Sequence, residues 1–187
     1  MVACVTPASQ RPMNTCSHLV DFFSADEHLI ARVADYLQEG FESECACIAV
    51  MTPSHLASVD AVLTQRGLNS AELIAAYRYV TMDAHAVLRT LRPDGSLDFA
   101  EFHRSFGQLI SLAGTGNRPV RIVGEMVRLL AEEGIGDAVI QLEEMWNDLS
   151  RDYAFTLYCV YSEHVFVDSL SVEHRTQIRA LHSHAPR

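Results

Sequence analysis

The stretch Pro119-Val-Arg-Ile-Val-Gly-Glu-Met126 decides the fold of this chain. A short run of mainly β-branched residues ends in Gly124 and the lone carboxylate of Glu125, and the pattern of an amphipathic helix follows at once. In open α/β sheets, ligands bind outside the carboxyl ends of the strands. We therefore expect Glu125 to lie where a protein of this class binds its ligand.

The same succession of strand and helix recurs along the chain. Apolar runs that predict strands are found at 18–23, 45–51, 77–82, 119–123 and 153–161. Amphipathic helical patterns separate them, and continuous apolar runs are typical of strands buried on both faces of a parallel sheet. The expected fold is α/β, a three-layer α/β/α domain with a mostly parallel central sheet of about five strands.

Capping residues predict where several helices begin. Thr52 precedes a proline and Asp83 follows the third apolar run, so each is expected to cap the helix after it. The segment Ser24-Ala-Asp-Glu27 has the pattern of a capping box, which predicts that Ser24 caps the first helix.

The two ends of the chain differ from its middle. Residues 1–16 have no periodic pattern and contain two prolines, so we predict a flexible leader there. The folded domain is expected over 17–162, and a C-terminal helix and tail over 163–187, with a polar helix at 168–181. The tail contains His182 and His184, which we expect to form at most a weak, solvent-exposed metal chelator.

The amino-acid composition excludes some classes of binding partner and of cellular location. Lys and Arg number 14 against 24 Asp and Glu, which gives a formal net charge of −10. Because nucleic-acid binding requires clustered basic residues, direct binding of DNA or RNA is not expected. No apolar stretch is long enough for a membrane span or a signal peptide, so we expect a cytoplasmic protein without membrane contact. Its five cysteines are expected to be structural thiols.

The chain also lacks the usual signatures of nucleotide and metal chemistry. A phosphate-binding loop would follow the first strand, but Phe22-Phe23-Ser24 stands there instead. No zinc-binding spacing or nucleophile elbow is found either. We therefore expect no cofactor, no metal and no enzymatic activity.

Several segments together resemble a known sensory family. They are His18 with Phe22-Phe23, Asp83-Ala84, Gly124-Glu125-Met126, the helix with Leu142-Glu143 and Trp146-Asn147, and Leu157–Tyr161. Over roughly 17–162 the chain resembles the MEDS domain, the methanogen/methylotroph sensory domain. The resemblance implies a RecA/KaiC-like fold without the phosphate loop, and a role in sensing hydrocarbon derivatives beside histidine-kinase or DNA-binding output domains. Phe22 stands where the family pattern suggests a tyrosine.

The residues expected to bind the ligand lie mainly at strand ends. Glu125, Asp83 and the Thr52 hydroxyl would supply polar contacts, and Phe22 or Phe23 an apolar wall. His18 is a further candidate contact. In the alternative interpretation both acids only cap the helices that follow them, and His18 is a structural hydrogen-bonding group. Glu143 is expected either to pair with a buried group such as Arg121 or to reach the ligand crevice.

The sequence thus favours a cytoplasmic signalling module that binds a small ligand and acts on a separate partner, a histidine kinase or a transcription regulator. The extra helix at 168–181 would contact that partner. The alternative is a ligand-free scaffold for protein interaction or homo-oligomerisation, which a crevice filled by side chains would favour. A third hypothesis, a hydrolase with Glu125 as base, requires a nearby histidine of perturbed pKa.

Overall fold

The computed structural model describes residues 17–182. Within them one sheet is formed by five strands: β1 (Ser17–Phe23), β2 (Ala46–Met51), β3 (Tyr79–Asp83), β4 (Val120–Gly124) and β5 (Thr156–Ser162). The spatial order is β1-β5-β4-β2-β3, and all neighbouring strands are parallel. The prediction of a parallel sheet of about five strands is confirmed.

Helices cover both faces of this sheet. They are α1 (Asp26–Glu42), α2 (Pro53–Gln65), α3 (Ser70–Ala75), α4 (Ala84–Leu91), α5 (Phe99–Ala113), α6 (Met126–Glu132), α7 (Gly136–Asp152), α8 (Glu163–Asp168) and α9 (Val172–Leu181). One hydrophobic core lies between the sheet and α1 and α2, and a larger one between the sheet and α4–α9. The three-layer α/β/α architecture is therefore confirmed.

The position of β2 inside the sheet explains why its sequence is apolar without interruption. Cys47, Ala49 and Met51 belong to the core beneath α1 and α2. Ile48 and Val50 belong to the opposite core. Because successive side chains of a strand point to opposite faces, a strand covered on both faces needs apolar residues at every position.

The connections place a topological switch point between β2 and β4. The chain leaves β2 towards β3 at one side, and it leaves β4 towards β5 at the other. The two strands are nevertheless hydrogen-bonded neighbours, with Val50 opposite Gly124. A crevice outside the carboxyl ends of two such strands is the usual ligand site of open α/β sheets. Thr52 and Glu125 each follow one of these strands directly.

Two of the three predicted caps are confirmed. The Thr52 hydroxyl accepts a hydrogen bond from the His55 backbone N–H, and the Asp83 carboxylate accepts one from the His85 N–H. The capping box at Ser24 is wrong, because α1 begins at Asp26 after Ala25 and no side chain caps it. The missing cap costs α1 little stability, because acidic residues in its first turn interact favourably with the helix dipole.

The C-terminal segment packs on the domain rather than standing apart from it. Val165 and Phe166 of α8 and Ile178 of α9 are buried in the larger core. The polar helix expected at 168–181 begins only at Val172, because α8 ends at Asp168 and a short connection intervenes. The predicted leader at 1–16 and the tail beyond residue 182 lie outside the described residues. Within 17–182 we find no helix with the length and apolar character that crossing a membrane requires.

The contact of α1 with the sheet depends on Gly40. A Cβ at this position would lie 2.6 Å from Cys47 Sγ and 3.0 Å from Arg121 Cδ. We therefore expect Gly40→Ala to destabilise the fold by about 1–3 kcal/mol through overpacking, although alanine favours helices. Urea unfolding measures the effect. Gly124→Ala is the control, because its Cβ would meet nothing within 4 Å; equal stability of both variants would contradict the close packing.

Candidate functional site

The switch point is occupied by the buried carboxylate of Glu125. Its side chain is fully inaccessible to solvent. Oε2 accepts a hydrogen bond of 2.9 Å from the Thr52 backbone N–H, and the Thr52 hydroxyl lies 3.4 Å away. Oε1 is 2.7 Å from His55 Nδ1 and 2.5 Å from Arg128 Nη1. Glu125 therefore joins the start of α2 to the start of α6.

His55 extends this network to the surface. Its Nδ1 faces Glu125, and its Nε2 lies 3.6 Å from Oδ2 of Asp26, which is exposed at the start of α1. The other cation, Arg128, is one turn along α6 and also pairs with Glu132. The arrangement is a carboxylate–imidazole–carboxylate series that links three helix starts. We name Glu125, Thr52, His55, Arg128 and Asp26 the switch-point network.

The network favours the charged form of both members of its central pair, Glu125 and His55. Burial alone would raise the pKa of Glu125, but hydrogen bonds from His55 and from the Thr52 backbone, with the charge of Arg128, lower it. The hydrogen bond to Glu125 raises the pKa of His55 and outweighs the opposing effect of burial. Glu125 does not cap α6 with its side chain, so its alternative interpretation as a helix cap is wrong.

A cavity lies at the carboxyl end of β3, between α4 and α5. Its volume is about 500 Å³. α4 and α5 form its walls, and the lining is mainly apolar: Met82, Ala86, Val87, Leu91, Phe106 and Leu109, with Asp83, Thr90 and Ser105 as polar groups. Asp83 is half-buried there and still caps α4. Of the residues predicted to bind a ligand, Asp83 lies in this cavity, whereas Glu125 and Thr52 lie in the network.

The two phenylalanines lie on opposite faces of the sheet. Phe23 is buried in the core beneath α1 and α2. Phe22 packs on the other face against Tyr161 and Phe166, with ring centroids 5.7 and 4.4 Å away. Neither residue lines the cavity between α4 and α5. The alternation of a strand accounts for this separation.

His18 lies away from the carboxyl edge, because it is the second residue of β1. Its Nε2 is 3.0 Å from Oε2 of Glu143, a fully buried residue of α7. Cys159 Sγ of β5 is 3.4 Å from the same oxygen, and Nε2 of His182 is 3.3 Å from Oε1. We name His18, Glu143, Cys159 and His182 the buried His–Glu–Cys cluster.

This cluster bears on two expectations. Glu143 pairs with buried groups as expected, but these are His18 and His182 rather than Arg121, which contacts Glu39. The side chain of His182 is only 1% exposed, so it is not a solvent-exposed chelator. Burial would raise the pKa of Glu143, yet the His182 and His18 imidazoles lower it well below its usual range.

Sequence reasoning missed His55 and Arg128, and it placed His182 in a solvent-exposed tail instead of beside Glu143. Arg128 lies three residues after Glu125, a spacing that places two side chains on one helix face. Its pairing with Glu125 could therefore be predicted from the sequence. The position of His55 in the first turn after the Thr52 cap carried the same kind of signal. His182 had no such signal, because it reaches Glu143 only through the packing of α9 against α7.

Comparison with known proteins identifies one family. The family model described as MEDS, "MEthanogen/methylotroph, DcmR Sensory domain", matches residues 17–184. No curated protein matches the chain. A solved structure titled as the Aeropyrum pernix ORC1 protein in complex with DNA is similar over 88% of this chain, at 15% identity and a TM-score of 0.37. The matched region spans 45% of that structure's chain.

The switch-point network predicts a pH-dependent contribution of His55 to stability. Because the folded pKa of His55 is raised above its ordinary 6.5, its contribution is complete below that pH and is lost as the pH rises through the folded value. His55→Gln should therefore lower the melting temperature most near pH 6, by an amount equivalent to about 1–3 kcal/mol, and progressively less towards pH 9. Differential scanning calorimetry measures both proteins.

His85→Gln is the matched control, because His85 is exposed at the start of α4. Its effect on the melting temperature should be small at every pH. A deficit of His55→Gln that stays constant from pH 6 to pH 9 would contradict an ionised His55–Glu125 pair.

Proposed function

The chain belongs to the MEDS family of sensory domains, and on this premise we propose that it senses a small, largely apolar molecule in the cavity between α4 and α5. The observation that carries the proposal is the cavity itself, with a volume of about 500 Å³ beside the carboxyl end of β3. Cavities of this size, with an apolar lining and a few polar groups, are typical of small-molecule sites.

The lining favours a hydrocarbon derivative with one polar group. Val87, Phe106 and Leu109 offer apolar contacts, whereas Asp83 offers a carboxylate acceptor. A hydroxyl or amine donor on the ligand would bind Asp83 while the hydrocarbon part is removed from water. Apolar burial contributes about 25 cal/mol per Å², so the hydrocarbon part supplies most of the affinity and Asp83 sets the orientation.

The signal would pass from α4 to α6. α4 contacts β2, β3 and α6, and α6 carries Arg128 of the switch-point network. A ligand that wedges between α4 and α5 would favour one position of α4 over another, and so shift a two-state equilibrium. Glu125 and Thr52 serve in this proposal as the relay behind the cavity rather than as direct ligand contacts.

The output is proposed to be a separate cytoplasmic partner, a histidine kinase or a transcription regulator. Val167 and Val172, near the connection between α8 and α9, are 51% and 70% exposed, which supports this region as the contact surface. We propose a non-catalytic role. His55 is a nearby histidine of perturbed pKa, but the lowered pKa of Glu125 and the donors on both its oxygens make that carboxylate a poor base.

A ligand-free scaffold remains the second candidate. The crevice at the switch point is filled by the side chains of His55 and Arg128. A filled crevice favours a scaffold, because it leaves no open ligand site at this position. The cavity beside Asp83 favours sensing. A ligand screen separates the two, because only a sensor is stabilised by a small molecule.

The screen measures melting temperature against 1-hexanol, cyclohexanol, toluene and dichloromethane. A compound that binds only the folded state raises the melting temperature, and the rise grows with its concentration. Ala86→Phe should abolish the rise, because the new ring fills the cavity. Ala61→Phe is the matched control, since Ala61 is exposed on α2 and does not line the cavity.

Asp83→Asn tests the carboxylate separately from the cap. Asparagine caps helices about as well as aspartate, so stability should change little. The shift caused by 1-hexanol should fall, whereas the shift caused by toluene should persist. If no compound stabilises the wild type, or if Ala86→Phe leaves every shift intact, the proposed site is wrong and the scaffold is favoured.

A further inference from the structure

We infer that the buried His–Glu–Cys cluster is a zinc site. His18 Nε2, Glu143 Oε2, Cys159 Sγ and His182 Nε2 come from β1, α7, β5 and the end of α9. The four groups place their donor atoms within 4.8 Å of one another. Two imidazoles, a thiolate and a carboxylate form a donor set that suits Zn²⁺.

In both histidines the nitrogen that points away from the cluster, Nδ1, has a hydrogen-bond acceptor, as is common in metal sites. His18 Nδ1 is 3.0 Å from Asn147 Oδ1, and His182 Nδ1 is 2.6 Å from the Ile178 carbonyl. The Asn147 amide nitrogen donates to the Leu181 carbonyl, which directs its oxygen towards His18. Both acceptors require a proton on Nδ1, so in each ring Nε2 is the nitrogen that faces the cluster and can bind a metal once it carries no proton. A metal-binding histidine is commonly fixed by such a bond.

His182 Nε2 has no hydrogen-bond partner, although it is buried. It lies 3.3 Å from Glu143 Oε1, and Tyr161 already donates a hydrogen bond of 2.5 Å to that oxygen. A buried nitrogen beside a carboxylate is stabilised by a positive charge between them, carried by a proton on the ring or by a metal ion in its place. The poor hydrogen-bond geometry of His182 Nε2 favours the metal ion.

The spacing of three of the donors, those of His18, Glu143 and Cys159, is close to that of a tetrahedral ion. Bonds of about 2.0–2.3 Å separate neighbouring donor atoms by roughly 3.3–3.6 Å in such a site. The observed separations are 3.0 Å from His18 to Glu143, 3.3 Å from His18 to Cys159 and 3.4 Å from Cys159 to Glu143. The four donor atoms lie within 4.8 Å of one another, so the His182 ring has to move closer to the other three groups when the ion binds.

Charge balance supports a divalent metal. Zinc would take Cys159 as a thiolate, and the thiol proton, together with any proton on His18 Nε2 or His182 Nε2, would pass to solvent on binding. One thiolate, one carboxylate and two neutral imidazoles then neutralise Zn²⁺ in a region without solvent. A small cavity of about 90 Å³, lined by His18, Asn147 and Leu181, adjoins the cluster and offers a path for entry. With all four positions taken by protein, the role is structural and joins α9 to the sheet.

The test is metal binding by the full chain without an affinity tag. After chelator treatment and dialysis against Zn²⁺, elemental analysis should find one zinc per chain. Co²⁺ should give the intense visible absorption of a tetrahedral site together with a near-ultraviolet thiolate charge-transfer band. Cys159→Ser should remove the charge-transfer band, and His182→Gln should abolish stoichiometric binding.

Matched variants separate the cluster from other ligands. Cys47→Ser changes a buried thiol outside the cluster, and His184→Gln changes a histidine of the tail. Both should bind one zinc as the wild type does. Asn147→Ala leaves the four ligands in place but releases the His18 ring, so zinc affinity should fall about 10- to 100-fold. Circular dichroism checks the fold of each variant.

The metal content and the Co²⁺ spectrum of the wild type test the zinc site even if the cluster variants do not fold. Folded wild type that takes up no zinc, or a Co²⁺ complex without a thiolate band, would overturn the site. Loss of binding in His184→Gln with full binding in His182→Gln would also overturn it, because the metal would then belong to the tail.

Discussion

The burial of the Glu125 carboxylate is the constraint on which the centre of this structure depends. A buried, unpaired charge costs several kcal/mol, so the donors around Glu125 must remain in place for the fold to persist. Thr52 and His55 lie at the start of α2 and Arg128 lies on α6. One side chain thus holds together two strand ends from which the chain departs in opposite directions.

A second buried glutamate, Glu143, lies against the other half of the sheet, which β1 and β5 form. Glu143 belongs to α7, and its side chain faces His18 of β1 and Cys159 of β5. Its contact with His182 ties the last described helix to the sheet. The two carboxylates differ in their surroundings: Glu125 is met by hydrogen-bond donors, whereas Glu143 also faces a histidine nitrogen without a hydrogen-bond partner. The first arrangement is complete by itself, and the second is suited to a cation.

The cavity between α4 and α5 adds a third kind of environment at the same edge of the sheet as Glu125. Its apolar walls are carried by helices, and α4 also contacts α6. α4 therefore packs against the helix that carries Arg128 of the switch-point network. A sensory domain requires this relation, because a ligand acts on a distant surface only by favouring one arrangement of packed elements.

The sequence by itself determined the strands, the parallel sheet, the caps at Thr52 and Asp83 and the position of Glu125 at a strand end. These follow from periodicity and from contacts between residues close along the chain. The tertiary structure alone decided what the buried carboxylates face. Glu143 and His182 are far apart in sequence, and their meeting depends on how α9 packs against α7. Local patterns carry no information about such distant contacts, because those are set by the packing of whole elements.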